Sequence, residues 1–208
     1  MNRALRTAAT GMYAQQLNID IISNNLANVN TVGFKKSRPE FQDLMYQTLK
    51  ATGVSLNRNI QQPMEIQVGN GAVPVATLKS FLQGGIEPTT NPMDFAIEGE
   101  GFLQVRRPDG SFAYTRDGAL KLSSDGSLVT SQGYLLEPGI TFPSELSSMS
   151  VGRDGAIDVV AVGDSEAVRV GQVELAKFVN PAGLRAIGNN LFVETSASGP
   201  PIIGVAGT

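Results

Sequence analysis

The chain has 208 residues, 41% hydrophobic and 17% charged, which excludes a disordered segment and leaves room for one domain with appendages or two small ones. Its 23 glycines and 11 prolines exclude a helical bundle as the main architecture. The absence of cysteine and histidine excludes disulfides, thiolate chemistry, and the commonest general base and metal ligand, while the net charge is only −3.

The N-terminus, MNRALRTAATGMYAQQLN, has no continuous apolar core and no small-residue cleavage site, so it does not read as a cleaved signal peptide. No stretch approaches the length of a membrane span. Residues 1–40 hold five basic residues (Arg3, Arg6, Lys35, Lys36, Arg38) against Asp20 and Glu40, a balance of +3 against −6 for the remainder. Two basic groups separated by nearly thirty residues do not make a nucleic-acid track. Solvated charges or pairing between subunits is the reading for them.

Residues 3–29 carry the clearest periodicity. Leu5, Met12, Ile19 and Leu26 are spaced by seven, and Ala8, Gln15, Ile22 and Val29 follow each by three. This is an a/d register over four heptads, a narrow seam suited to another long helix. Burying a large apolar side chain contributes about 1.5–3 kcal/mol, whereas ordering each backbone residue costs about 1–2 kcal/mol. A few seam residues do not hold more than twenty ordered ones, so the helix requires a partner. Asn30-Thr31-Val32-Gly33 marks its end. Asn24, Asn25, Asn28 and Asn30 crowd the last turns, either as a frayed polar terminus or as amides fixing neighbouring backbone at a junction.

Residues 33–70 read as a connection, with a short helix after Pro39 anchored by Phe34, Phe41, Leu44, Met45 and Leu49. Its second half, 47–69, reads as a long, weakly periodic loop. From about residue 71 to 195 the pattern becomes short apolar runs at 95–97, 102–105, 112–114, 119–122, 128–130, 134–136, 156–162, 167–178 and 191–193. Asp-Gly pairs at 109–110, 117–118, 125–126 and 154–155 predict hairpin turns. The predicted fold class is α+β, mainly β: a long N-terminal heptad helix (1–32), an extended linker, and an antiparallel β domain of meander, sandwich or open-barrel kind. Residues 196–208 read as a tail or loop.

The Asp-Gly pairs lack the alternating-carboxylate loop of a calcium site and read as turns. Glu98 and Glu100 are adjacent carboxylates on which nothing else converges, and Gly69-Asn-Gly71 does not open a helix as a dinucleotide site would. No residue pattern supports catalysis, and no cofactor or metal is expected. A carbohydrate- or surface-binding β module would explain the β region but not the seam, and it would want aromatic platforms that a chain with no tryptophan does not offer.

The segment Ile21-Ile-Ser-Asn-Asn-Leu-Ala-Asn-Val-Asn-Thr-Val-Gly-Phe-Lys-Lys36 resembles the N-terminal signature of bacterial flagellar axial proteins, the rod and hook subunits. Thr7–Gln16, Glu40–Tyr46, Ala96–Phe102, Tyr114–Gly118, Leu128–Leu135, Val151–Gly155 and Val170–Leu175 resemble family motifs too. The resemblance implies a structural subunit exported by the flagellar type III apparatus. It would polymerise helically with copies of itself across the periplasm, in a drive shaft joining motor to hook. Implied neighbours are proximal rod subunits, hook subunits, and the ring proteins of the peptidoglycan layer and outer membrane. The assembly interface is then expected at Leu5, Ala8, Met12, Ile19, Ile22, Leu26 and Val29, and the family-motif junction at Asn24, Asn25, Asn28, Asn30, Gly33 and Phe34. Family members end in a second amphipathic helix absent from these 208 residues, so impaired polymerisation is expected of this form.

Overall fold

A computed structural model describes residues 2–50, 55–57, 60–61, 65–143, 146–161 and 166–207. The chain divides into two compact units, one of Met1–Val29 and Lys36–Ser80, the other of Asn30–Lys35 and Phe81–Thr208.

Among its described residues the first unit contains one helix, α1 (Asn2–Ala27), and six strands. The strands are β1 (Ser37–Asp43), β2 (Gln47–Lys50), β3 (Ser55–Asn57), β4 (Ile60–Gln61), β5 (Ile66–Val68) and β6 (Ala72–Lys79). They pair antiparallel as β1 with β6, β2 with β5 and β3 with β4. The expected short helix after Pro39 is therefore corrected. Pro39 lies inside β1, opposite Thr77, in a two-stranded ribbon where a missing N–H is tolerated. The expected loop at 47–69 is likewise paired in its described residues, while 51–54, 58–59 and 62–64 lie outside them. One bulge between Glu40 and Phe41 shifts the β1–β6 register.

The second unit is built on β7 (Phe102–Arg106), β8 (Phe112–Thr115), β9 (Lys121–Leu122), β10 (Leu128–Val129) and β11 (Leu135–Glu137). There follow β12 (Leu146–Val151), β13 (Ala156–Ala161), β14 (Val168–Gln172), β15 (Glu174–Lys177), β16 (Arg185–Gly188), β17 (Leu191–Val193) and β18 (Ile202–Val205). The main sheet runs β16-β17-β8-β7-β11-β10-β9, with β15 joined to β7 and β18, and β12-β13-β14 form a separate sheet. Strand β7 is the hub. One edge pairs with β8, and the other is shared between β11 and β15. Every named pairing is antiparallel, so the mainly-β, α+β class predicted from patterning holds.

Four details depart from the sequence reading. Residues 95–97 form no strand: Phe95 N–H donates to the Gly118 carbonyl at 2.9 Å, which makes Asp117-Gly118 a docking point rather than a hairpin turn. The run 167–178 is two strands broken at Val173. Residues 196–208 are not merely a tail, because β18 pairs with β15 from Ile202 to Val205. The β region also begins at Phe81 rather than residue 71, since β6 belongs with β1.

Two apolar clusters hold this unit together. One gathers Leu103, Val105, Leu120, Leu128, Leu136 and Ile157, among others, on one side of β7. The other is aromatic: Phe102, Tyr114, Phe178 and Phe192 with Phe81. Its rings meet edge-to-face at centroid distances from 4.8 to 6.0 Å, the geometry the ring quadrupole favours.

Candidate assembly surface

All eight a/d positions of the N-terminal segment are exposed: Leu5, Ala8, Met12, Gln15, Ile19, Ile22, Leu26 and Val29. Leu5, Met12 and Leu26 are each more than 65% accessible. Val29 lies beyond the helix, which ends at Ala27, so the expected fourth heptad is incomplete. Asn28 N–H and its side-chain Nδ2 both donate to the Asn24 carbonyl, and Val29 N–H tightens onto Leu26, closing the helix two residues short of the expected end.

The opposite face carries a second stripe of partly or fully buried residues: Arg3, Thr7, Thr10, Ala14, Leu17, Ile21, Asn25 and Asn28. It too repeats by sevens, and it is displaced by two residues from the seam, a rotation of about 200°. This stripe packs on β1 and β6. The sequence reading missed it because threonine, alanine and asparagine carry little apolar signal. Small residues let backbone approach backbone here. Gly71, at φ +114°, has room for no side chain, since a Cβ would fall 2.1 Å from Thr10 Oγ1.

The family-motif residues fall on both units. Asn25 is hydrogen-bonded to Ser37 at both its amide atoms, while Asn24 and Asn30 are exposed. In the second unit, Gly33 (φ +72°) lies so close to the 116–117 backbone that a Cβ would come within 2.8 Å of Asp117 N. Asn190 Nδ2 donates to the Val32 carbonyl at 2.9 Å, and Phe34 N–H to Thr31 at 3.2 Å. Lys35 Nζ donates to the Leu82 carbonyl at 2.8 Å; burial, and then the nearby Arg116, lower its pKa. Arg116 donates to Gln83 and to the Gly99 carbonyl and lies over the Phe102 ring. These contacts fold residues 30–35 into the second unit.

The aspartates of the Asp-Gly pairs are used locally. Asp109, Asp117 and Asp154 each accept a backbone N–H from two residues on, from Ser111, Ala119 and Ala156. That is turn chemistry. Among the described residues no helix is long and apolar enough to cross a membrane.

Known proteins resemble the chain in both of its units. The family profile described as flagella basal body rod protein matches residues 5–35, which carry the helix and junction. That of the flagellar hook protein FlgE/F/G D1 domain matches residues 96–159. The chain is 49% identical to the flagellar basal-body rod protein FlgG of Borreliella burgdorferi, covering 100% of this chain and 79% of that protein. It is 35% identical to FlgG of Bacillus subtilis over 96% of this chain and 76% of that one. The flagellar hook protein FlgE of Helicobacter pylori is 36% identical over 89% of this chain, but only 26% of the hook protein is covered. A helix with an exposed heptad seam, and identities of 35% and 49% to rod proteins over 96% and 100% of this chain, lead to one conclusion: the chain belongs to the flagellar basal-body rod protein family.

Proposed function

We propose that the chain is a structural subunit of the distal rod, without catalytic activity, which polymerises helically with copies of itself and transmits torque from motor to hook. The observation that carries this reading is the division of α1 into two faces. One is spent on the β1–β6 ribbon, while the other leaves every a/d position exposed. An exposed apolar stripe of this length is an interaction surface. In this reading the subunit meets proximal rod subunits at one end and hook subunits at the other. The peptidoglycan-layer and outer-membrane ring proteins surround it in the periplasm, where the flagellar type III export apparatus delivers it. The assembly residues are Leu5, Ala8, Met12, Ile19, Ile22, Leu26 and Val29. No cofactor, metal or nucleic acid has a part.

Electron microscopy of the chain under polymerising conditions tests the reading. Straight tubes are expected when the family's second amphipathic helix is supplied, with weaker assembly of these 208 residues alone; a protein that carries that helix and stays strictly monomeric at high concentration would overturn the reading. A hook-type subunit is the second reading, favoured by the hook-domain match at 96–159. Tubes that bend would support it over the rod.

A further inference from the structure

α1 carries three charged residues, Arg3, Arg6 and Asp20. Arg3 is engaged within its own unit, with Nη2 donating to the Val68 carbonyl at 3.2 Å. Arg6 and Asp20 are both exposed, and neither forms an ion pair among the described residues. They are separated by two heptads and therefore lie on one flank of the helix, with the exposed Tyr13 midway between them. Fourteen residues of α-helix span about 21 Å, far too long for the two charges to meet within one chain.

The same flank forms one wall of an open groove in the first unit. Its apolar part, about 510 Å³, is lined by Ala9, Thr10, Tyr13, Leu44, Val73 and Pro74. Arg6 lines the adjoining stretch of the groove, beside Met45 and Asn70. Each copy thus presents two unlike surfaces: an apolar groove with a cation at its end, and an apolar seam in which Ile19 is followed by the lone anion, Asp20.

We propose that the groove receives α1 of a second copy, parallel and displaced by two heptads, so that Asp20 of one copy meets Arg6 of the next. The contact is heterologous, a groove on one subunit against a seam on its neighbour, and such contacts propagate into open helical arrays rather than closing as dimers. Apolar burial supplies the attraction. The exposed ion pair adds little affinity and instead selects the register and direction of packing. The inference rests on the filament reading and adds to it an axial offset of about 21 Å between contacting subunits.

The absence of cysteine makes the test clean. Arg6→Cys and Asp20→Cys are introduced singly and together, and the chains, under the conditions that assemble the unmodified protein, are treated with a short bis-maleimide. The double variant is expected to give a ladder of linked oligomers. Each single variant is expected to give at least tenfold less linked product. Linked dimers without a ladder would mean an antiparallel closed pair and overturn the proposal. Efficient linking of a single variant to itself would mean in-register packing and also overturn it. Charge reversal supplies a second arm. Arg6→Glu and Asp20→Lys should each slow assembly severalfold, and the two together should restore it; a double variant no better than the singles overturns the pairing. If the unmodified chain forms no sedimentable polymer even with the family's second amphipathic helix supplied, the filament reading fails and this inference with it. Polymer formation with the wrong linking pattern removes the offset alone.

Discussion

Asn25 and Ser37 hold each other by two hydrogen bonds: Asn25 Nδ2 donates to the Ser37 carbonyl at 2.7 Å, and Ser37 N–H donates to Asn25 Oδ1 at 2.9 Å. The amide copies the pairing edge of a strand, so the last turn of α1 is attached to the first residue of β1 as another strand would be. Asn25→Leu leaves a half-buried donor and acceptor without partners, which costs about 1–3 kcal/mol. Asn25→Asp loses the donor and opposes a carboxylate to the Ser37 carbonyl. Both variants are expected to lose helical far-UV signal at a lower denaturant concentration than the parent.

Gly33 and Gly71 occupy left-handed backbone beside close neighbours, one against the 116–117 main chain and the other against Thr10. Gly33→Ala meets backbone that has nowhere to move, and its φ is itself unfavourable for a side chain. It is expected to destabilise the second unit by about 1–3 kcal/mol. Gly71→Ala meets a side chain, so pairing it with Thr10→Ala should recover part of its loss while Gly33→Ala has no such rescue. Thermal unfolding of the three variants measures the difference.

Seam substitutions separate assembly from folding. Ile19 and Leu26 are 61% and 70% accessible, so Ile19→Asp and Leu26→Asp should change the stability of the isolated chain by only about 0.5 kcal/mol. Sedimentation and electron microscopy should show assembly abolished in both. Rods of normal appearance from either variant would remove that residue from the interface.

Leu136 is almost fully buried in the larger core cluster, on the strand that pairs with the hub β7. Leu136→Ala is expected to cost about 2–5 kcal/mol, the range for a truncated core leucine. The loss should appear in the unfolding of the β unit.

Asp109 is the carboxylate with a clear acid-side signature. Hydrogen bonds from the Ser111 hydroxyl and N–H, and after them the Arg107 charge, hold its pKa below the usual carboxylate value. A depressed carboxyl pKa adds stability that is present above the ordinary range and lost as pH falls through the folded-state value. Ser111→Ala should move the Asp109 titration upward in a carbon-detected NMR series.

Much of the α+β organisation is written in residues whose chemistry speaks locally. Leu5, Met12, Ile19 and Leu26 announce a heptad helix by spacing alone, and Asp109-Gly110, Asp125-Gly126 and Asp154-Gly155 announce their turns. The features that escaped depend on partners distant in the chain. Pro39 suits the start of a helix as well as a ribbon, and only Thr77, thirty-eight residues on, decides between them. Ile202 and Ile203 look like a tail until Ala176 and Lys177 are seen beside them. The buried stripe of α1 was hidden for another reason. Thr7, Thr10 and Ala14 pack by being small, and smallness leaves no hydrophobic period to read.

The two stripes on α1 constrain how such a helix can change its length. Inserting one residue between Ala14 and Leu17 would turn everything beyond it by about 100°, taking Ile21 and Asn25 off the ribbon and Ile19 and Leu26 off the seam together. Inserting seven would leave both faces nearly aligned and only lengthen the helix by about 10 Å. Variation in this segment is therefore quantised: substitutions are judged face by face, but insertions and deletions survive in whole heptads.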